Sequence, residues 1–296
     1  MSIAGGYHKA VERAAEAGCD CVQIFTTPPR MWPQNAGKKV ADGSSKKIKQ
    51  WRAKEITDEE VVKFRQSLDE LRITHPLSHA SYLINLASPN KTLWNKSINA
   101  LVIELQRADK LEIPFVVVHP GSYTTSSEED GIKQISRALN KIHRNAGDIR
   151  ARCLLENTAG QGTNLGWRFE HLAEILAGVV QDRVGICFDS CHAFAAGYPL
   201  ATSDEFAATF SELERLVGIE RIHAIHLNDS KRELGSRVDR HENLGEGCLG
   251  LDPFRHLVND RRLSDVPMYL ETPKGKNSAG DDWDQVNLTT LRSLRA

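Results

Sequence analysis

VGICFDS (residues 184–190) is a short apolar run closed by an acid, Asp189, before its final serine, and a second metal-competent side chain, His192, stands just beyond it. A strand buried on both faces reads this way, near-continuously apolar rather than alternating. Six other runs share the character: CDCVQIF (19–25), THPLSHA (74–80), FVVVHP (115–120), RCLLEN (152–157), RIHAIHLND (221–229) and MYLET (268–272). Helical patterns separate them. TDEEVVKFRQSLDELR (57–72) opens on Thr57 with Glu60 three residues on, the sign of a capping box. Val61, Phe64, Leu68 and Leu71 then repeat at helical spacing. TLWNKSINALVIELQRADKL (92–111) and SEEDGIKQISRALNKIHRNA (127–146) behave likewise.

Short buried strands alternating with helices predict an α/β fold with a parallel sheet, and at 296 residues a TIM-type (β/α)8 barrel. No repeat and no low-complexity linker divides the chain, so one barrel domain is expected over residues 1–296. A closed barrel of this type needs eight strands, and seven are legible. The chain opens directly in a helix-like segment, so the first strand either lies upstream of Met1 or the barrel is open there.

Apolar residues make up 40% and charged residues 26%, the composition of a soluble protein. No run of 18 apolar residues exists, so no membrane span is expected. MSIAGGYHKAVERAAEAG (1–18) carries charge throughout and does not read as a secretory signal; a cytoplasmic protein is expected. The six cysteines show no C-x-x-C pair, and several lie in apolar runs, which fits reduced thiols better than a disulfide framework. A net charge of −1 excludes a polycation, so any nucleic-acid contact must rest on local charge.

The strand ends carry the chemistry. His79, His119, Glu156, Asp189, His226 and Glu271 lie at or near the ends of six of the seven runs, with His192 just after Asp189 and with Asp239 and His241 in the loop after the sixth. The carboxyl ends of barrel strands converge on one face, where active sites are built. Imidazole suits zinc, and carboxylates bridge cations. Nine such side chains exceed what one tetrahedral zinc uses, so two or three metals are implied, an arrangement suited to phosphodiester cleavage. Taken singly, each His is more often an ordinary polar residue. His8, His143, His171 and His256 lie in helical stretches, and His75 and His223 come early in their strands, so these are left out.

HASYLINLASP (79–89), HPGS (119–122), LENTAGQGTNLG (155–166), CFDSCHAFAAGY (187–198), HLNDSKRELGSRVDRHENLGEG (226–247) and LETP (270–273) together resemble the signature segments of the endonuclease IV family, zinc-dependent apurinic/apyrimidinic endonucleases. The resemblance runs from about Met1 to about Pro273. It implies three zinc ions per chain: His79 and His119 on the first, Glu156 bridging it to a second held with Asp189, His226 and Glu271, and His192, Asp239 and His241 on the third. It further implies hydrolysis 5′ to abasic sites in duplex DNA by a monomer, with Glu156 orienting the nucleophile. Tyr82 and Leu83 are the implied inserted residues, and an Arg of the first loop, for which Arg30 and Lys49 both align. The chain departs from the family pattern in its missing first strand, in Ala80 after His79, and in a long loop from Thr26 to about Lys54.

That loop holds seven basic residues between Lys38 and Lys54, Lys49 and Arg52 among them, and one acid, Asp42. It reads either as a solvated surface loop or as an arm that tracks phosphates. A second basic stretch, Lys231 to Arg240, lies beside two of the proposed ligands. Two other readings stand against the nuclease: a metal-dependent sugar isomerase or epimerase on the same barrel, and a non-catalytic module that binds damaged DNA.

Overall fold

The computed structural model describes residues 1–32, 54–180 and 182–296. Seven parallel strands form one sheet in chain order: β1 (Cys21–Ile24), β2 (Thr74–His79), β3 (Phe115–Val118), β4 (Arg152–Glu156), β5 (Val184–Asp189), β6 (Ile222–His226) and, after the ribbon strands β7 (Asp229–Ser230) and β8 (His241–Glu242), β9 (Met268–Tyr269). All seven runs read from the sequence are strands. The run 221–229 is the one that divides, since β6 stops at His226 and Asp229 begins the separate antiparallel ribbon.

Helices α1 (Tyr7–Glu16), α2 (Asp58–Glu70), α3 (Lys91–Lys110), α4 (Glu128–Ala146), α5 (Phe169–Ala177), α6 (Ser190–Ala196), α7 (Ser203–Leu216), α8 (Asp252–Asn259) and α9 (Trp283–Leu294) accompany the strands. The capping box expected at Thr57 is present, with the Thr57 hydroxyl accepting from the Glu60 N–H and the Glu60 carboxylate accepting from the Thr57 N–H. Such a cap stabilises a helix by about 1 kcal/mol. The apolar stripe is narrower than its spacing suggests. Phe64 and Leu68 are buried, but α2 ends at Glu70, and Leu71, at the C-cap, is 40% exposed. No described helix is long and apolar enough to cross a membrane.

Two apolar clusters follow from this geometry. The larger lies between sheet and helices and includes Ile24, Val116, Phe188 and Ile225 from the strands and Phe64, Leu105 and Phe210 from the helices. The smaller fills the barrel interior with one residue from each of six strands: Leu77, Val117, Leu154, Cys187, Ala224 and Tyr269, with Cys21 of β1 packed against them. The sheet curls until β9 comes back beside β1, where the Cys21 thiol reaches the Met268 carbonyl at 3.3 Å. Among the described residues no backbone ladder joins β9 to β1, so the barrel is nearly closed rather than closed.

Candidate metal centre

Side chains two residues apart on a strand share a face. Two residues beyond Leu77, Val117, Leu154, Cys187, Ala224 and Tyr269 stand His79, His119, Glu156, Asp189, His226 and Glu271. The interior plug and the six candidate ligands are thus successive layers of one barrel, and the second layer opens on the carboxyl face. The equivalent position on β1, two beyond Cys21, is Gln23, which sequence reasoning misses because glutamine is not a common metal ligand.

Glu156 sits at the centre and is fully buried. Its Oε2 lies 3.2 Å from His79 Nε2 and 3.0 Å from His119 Nε2, and its Oε1 lies 2.8 Å from His226 Nδ1 and 3.4 Å from His192 Nδ1. His226 Nδ1 is also 3.8 Å from Asp189 Oδ2 and 3.6 Å from Glu271 Oε2. Asp189 caps α6 by accepting the His192 N–H at 2.7 Å, which brings His192 into the cup. Asp239 and His241 arrive on the β7–β8 ribbon. Asp239 lies 3.3 Å from His192 Nε2 and 3.5 Å from His241 Nε2.

The ligand atoms fall into three groups: His79, His119 and Glu156; Glu156, Asp189, His226 and Glu271; and His192, Asp239 and His241. Cys191 lies close to Asp189 and His241 as well. Burial pushes its thiol up to about 12, and the protonated thiol is a poor ligand.

The outer nitrogens of four imidazoles are spoken for. His79 Nδ1 donates to the Ala80 carbonyl at 2.7 Å, His192 Nδ1 to the Asn157 carbonyl at 2.9 Å, His241 Nδ1 to the Glu271 carbonyl at 3.3 Å and His226 Nε2 to Gln23 Oε1 at 2.8 Å. Each bond fixes one tautomer and turns the other nitrogen, with its lone pair, into the cup. Burial alone would push Glu156 up. The surrounding imidazoles, His226 and His119 foremost, outweigh it and hold the carboxyl well below its usual range. Burial likewise opposes charge on His192 and His226, and the nearby Asp189 and Asp239 for the first, and Cys187, Glu271 and Glu156 for the second, push both well above the usual imidazole range. The cup is therefore built for positive charge. Inward lone pairs, four carboxylates and fixed tautomers fit divalent cations of the zinc kind.

A cavity of about 600 Å³ opens over the cup, lined by His119, His192, Asp239, His241 and Glu271, with Phe25, Arg30 and Tyr82 at its side. Tyr82 is 51% exposed on a turn with the partly buried Leu83, and its inner edge packs on Phe25, His79 and His119 at centroid distances of 5.6, 5.2 and 6.0 Å. Arg240 is exposed and donates to the Asp239 carbonyl at 2.6 Å. Lys231, read from the sequence as part of a basic stretch, is paired with Glu242 at 3.2 Å, because the ribbon sets the two strands side by side. Lys49 and Arg52 lie outside the described residues, as does the basic loop up to Lys54. His75 and His223, left out of the site, line a separate cavity at the opposite end of the barrel.

A barrel of this topology with a polymetal cup defines a class. The family model described as xylose isomerase-like TIM barrel matches residues 11–295. The chain is 44% identical to the probable endonuclease 4 of Geobacter sp. (strain M21) over 295 residues, 99% of this chain and 96% of that protein. The crystal structure of endonuclease IV from Thermus thermophilus superposes with a TM-score of 0.80 at 36% identity, covering 99% of this chain and 96% of that one. A D-tagatose 3-epimerase-like protein superposes with a TM-score of 0.67 at 19% identity, covering 96% and 91% of the two chains, a likeness of fold alone. The chain belongs to the endonuclease IV family of xylose isomerase-like TIM barrels.

Proposed function

We propose that this chain is a zinc-dependent DNA repair endonuclease that hydrolyses the phosphodiester bond 5′ to an abasic site in duplex DNA, leaving a 3′-hydroxyl and a 5′-deoxyribose phosphate. The observation that carries the proposal is the convergence of three ligand groups around one buried carboxylate, Glu156, under an open cavity. The relatives named endonuclease 4 support a nuclease. On this reading His79, His119 and Glu156 hold one zinc, Glu156, Asp189, His226 and Glu271 a second, and His192, Asp239 and His241 a third. Bound there, the ions supply Lewis acidity toward the phosphate and lower the pKa of a water toward neutrality.

The chain's own residues do the rest. Glu156, buried and held toward its ionised form by the imidazoles around it, orients the nucleophile while bridging two ligand groups. Tyr82 and Leu83 enter the duplex beside the lesion, where an aromatic or apolar side chain replaces lost stacking. Arg30 assists at the same rim, and Arg240 meets the backbone, as do Lys49 and Arg52 of the long loop, whereas the charge of Lys231 is taken up by Glu242. An abasic nucleotide offers no base to read, so selection rests on deformability and on a cup too narrow for a paired nucleotide. We further propose that residues 1–296 form one domain that acts as a cytoplasmic monomer.

The test is incision of a duplex carrying one tetrahydrofuran site by purified protein of measured metal content. Cleavage on the 5′ side, abolished by EDTA, is expected. Binding without incision at full metal content would make the chain a damaged-DNA binder instead, and turnover of a ketose without incision would make it an epimerase.

A further inference from the structure

Gln23 is β1's member of the ligand layer, and both ends of its amide are engaged. Its Oε1 accepts from His226 Nε2 at 2.8 Å, and its Nε2 donates to Glu271 Oε1 at 2.5 Å. Only one amide orientation serves both partners. Reversed, it would set NH2 against the imidazole N–H and an oxygen against the carboxylate. The contact therefore fixes two things at once. It makes His226 the Nε2–H tautomer, with Nδ1 toward Glu156, and it occupies one oxygen of Glu271 so that the other, Oε2, faces His226 Nδ1.

Three other imidazoles of the cup are oriented by backbone carbonyls, those of Ala80, Asn157 and Glu271. No substitution removes those acceptors. His226 is oriented by a side chain from the strand that contributes no candidate ligand. Gln23 also lines the cavity and lies where β1 faces β9. The barrel is not laddered by backbone at this place, so the amide is a lateral tie between β1 and the ligands carried by β6 and the segment after β9.

We propose that Gln23 is a positioning residue for the Glu156–Asp189–His226–Glu271 group, setting the His226 tautomer and the Glu271 rotamer so that this group binds its ion more tightly than its ligands alone would. The proposal rests on the reading that the group takes a cation, but its readout is metal retention rather than DNA cleavage. Partners of this kind are worth 10–100-fold in metal affinity.

The test compares wild type, Gln23→Met and Gln23→Glu, each loaded with zinc and then titrated with a chromogenic chelator. Gln23→Met keeps the length and removes both bonds. It is expected to release one zinc per chain at about 10–100-fold lower chelator concentration, with the remaining zinc unmoved. Nitrogen-15 imidazole spectra of the zinc-loaded proteins should show the His226 Nε2–H in a hydrogen bond in wild type and without it in Gln23→Met. Gln23→Glu keeps the acceptor for His226 and opposes Glu271 with a second carboxylate. It should keep the His226 Nε2–H bond yet release the same zinc early, and it decides the matter if Gln23→Met does not fold. Wild-type zinc retention in the folded variants would overturn the proposal. A wild-type chain that holds zinc but leaves abasic DNA intact would remove the proposed function and leave this inference standing.

Discussion

His192 Nε2 and His241 Nε2 face each other at 3.4 Å, with the oxygens of Asp239 at 3.3 and 3.5 Å from them. Both Nδ1 atoms already donate to backbone carbonyls, so in their neutral forms both Nε2 atoms are acceptors. Two acceptors at that distance repel unless a cation or a shared proton lies between them. Asp239→Asn should therefore lower the zinc content by about one ion per chain and slow incision by about 10²–10³-fold, the usual effect of removing one preorganised charge-stabilising group. Elemental analysis beside single-turnover kinetics checks both halves. A variant with full metal content and an unchanged rate would take Asp239 out of the centre.

The same group shows how much is readable in the sequence. The strands are legible because burial on both faces makes them apolar, and six ligands are legible because each stands at or near the end of such a run and is of a metal-binding type, a position the structure shows to lie two residues beyond a plug residue. Gln23 obeys the same spacing from Cys21 but carries no chemical flag. The placement of Asp239 and His241 depends on Asp229, a buried carboxylate that accepts N–H bonds at 2.7–3.1 Å from Ser230, Gly245, Gly247 and Leu249 and so folds the segment after the ribbon back onto the end of β6. No local pattern announces a carboxylate whose donors lie up to 20 residues away. Lys231 reads as open positive charge in the sequence for a related reason, since its partner Glu242 comes beside it only when the ribbon pairs.

Tyr82 is anchored on one edge and exposed on the other. Tyr82→Ala should leave zinc content unchanged and cost little stability, because half of the ring is already in water. On abasic duplex, loss of one stacking aromatic should weaken binding by about 1–3 kcal/mol, roughly 5–150-fold. The effect should be smaller on a flexible single strand that needs no wedge. Fluorescence anisotropy with metal-loaded protein and a non-cleavable abasic duplex measures it, and equal loss on both substrates would reassign Tyr82 to packing.

Arg30 lines the cavity and is exposed, whereas the charge of Lys231 is offset by Glu242. Each phosphate neutralised adds about −0.9 to the slope of log K against log salt. Arg30→Ala should reduce that slope by about 1. Lys231→Ala should change it by much less, and the double variant Lys231→Ala, Glu242→Ala should bind like wild type. Affinity measured at several salt concentrations separates the two. A larger slope change from Lys231→Ala than from Arg30→Ala would show that the ion pair opens on DNA.

His143 of α4 is buried, and neither of its ring nitrogens has a hydrogen-bond partner among the described residues. Burial, reinforced by Arg183, pushes its pKa down to about 4. The unfolded chain has an ordinary imidazole near 6.5. Below that value the unfolded state takes up a proton that the folded state refuses, so stability is full above about pH 6.5 and is lost progressively as the pH falls toward 4. Between pH 7.5 and 5 this one group is worth at most about 2 kcal/mol. His143→Leu removes the titration and an unsatisfied polar ring together. It should match or exceed wild-type stability at pH 7.5, and its urea midpoint should fall less on acidification to pH 5. The comparison is made on metal-free protein, so that proton competition at the metal centre does not enter. Parallel acid limbs for the two proteins would mean that His143 finds a proton partner in solution.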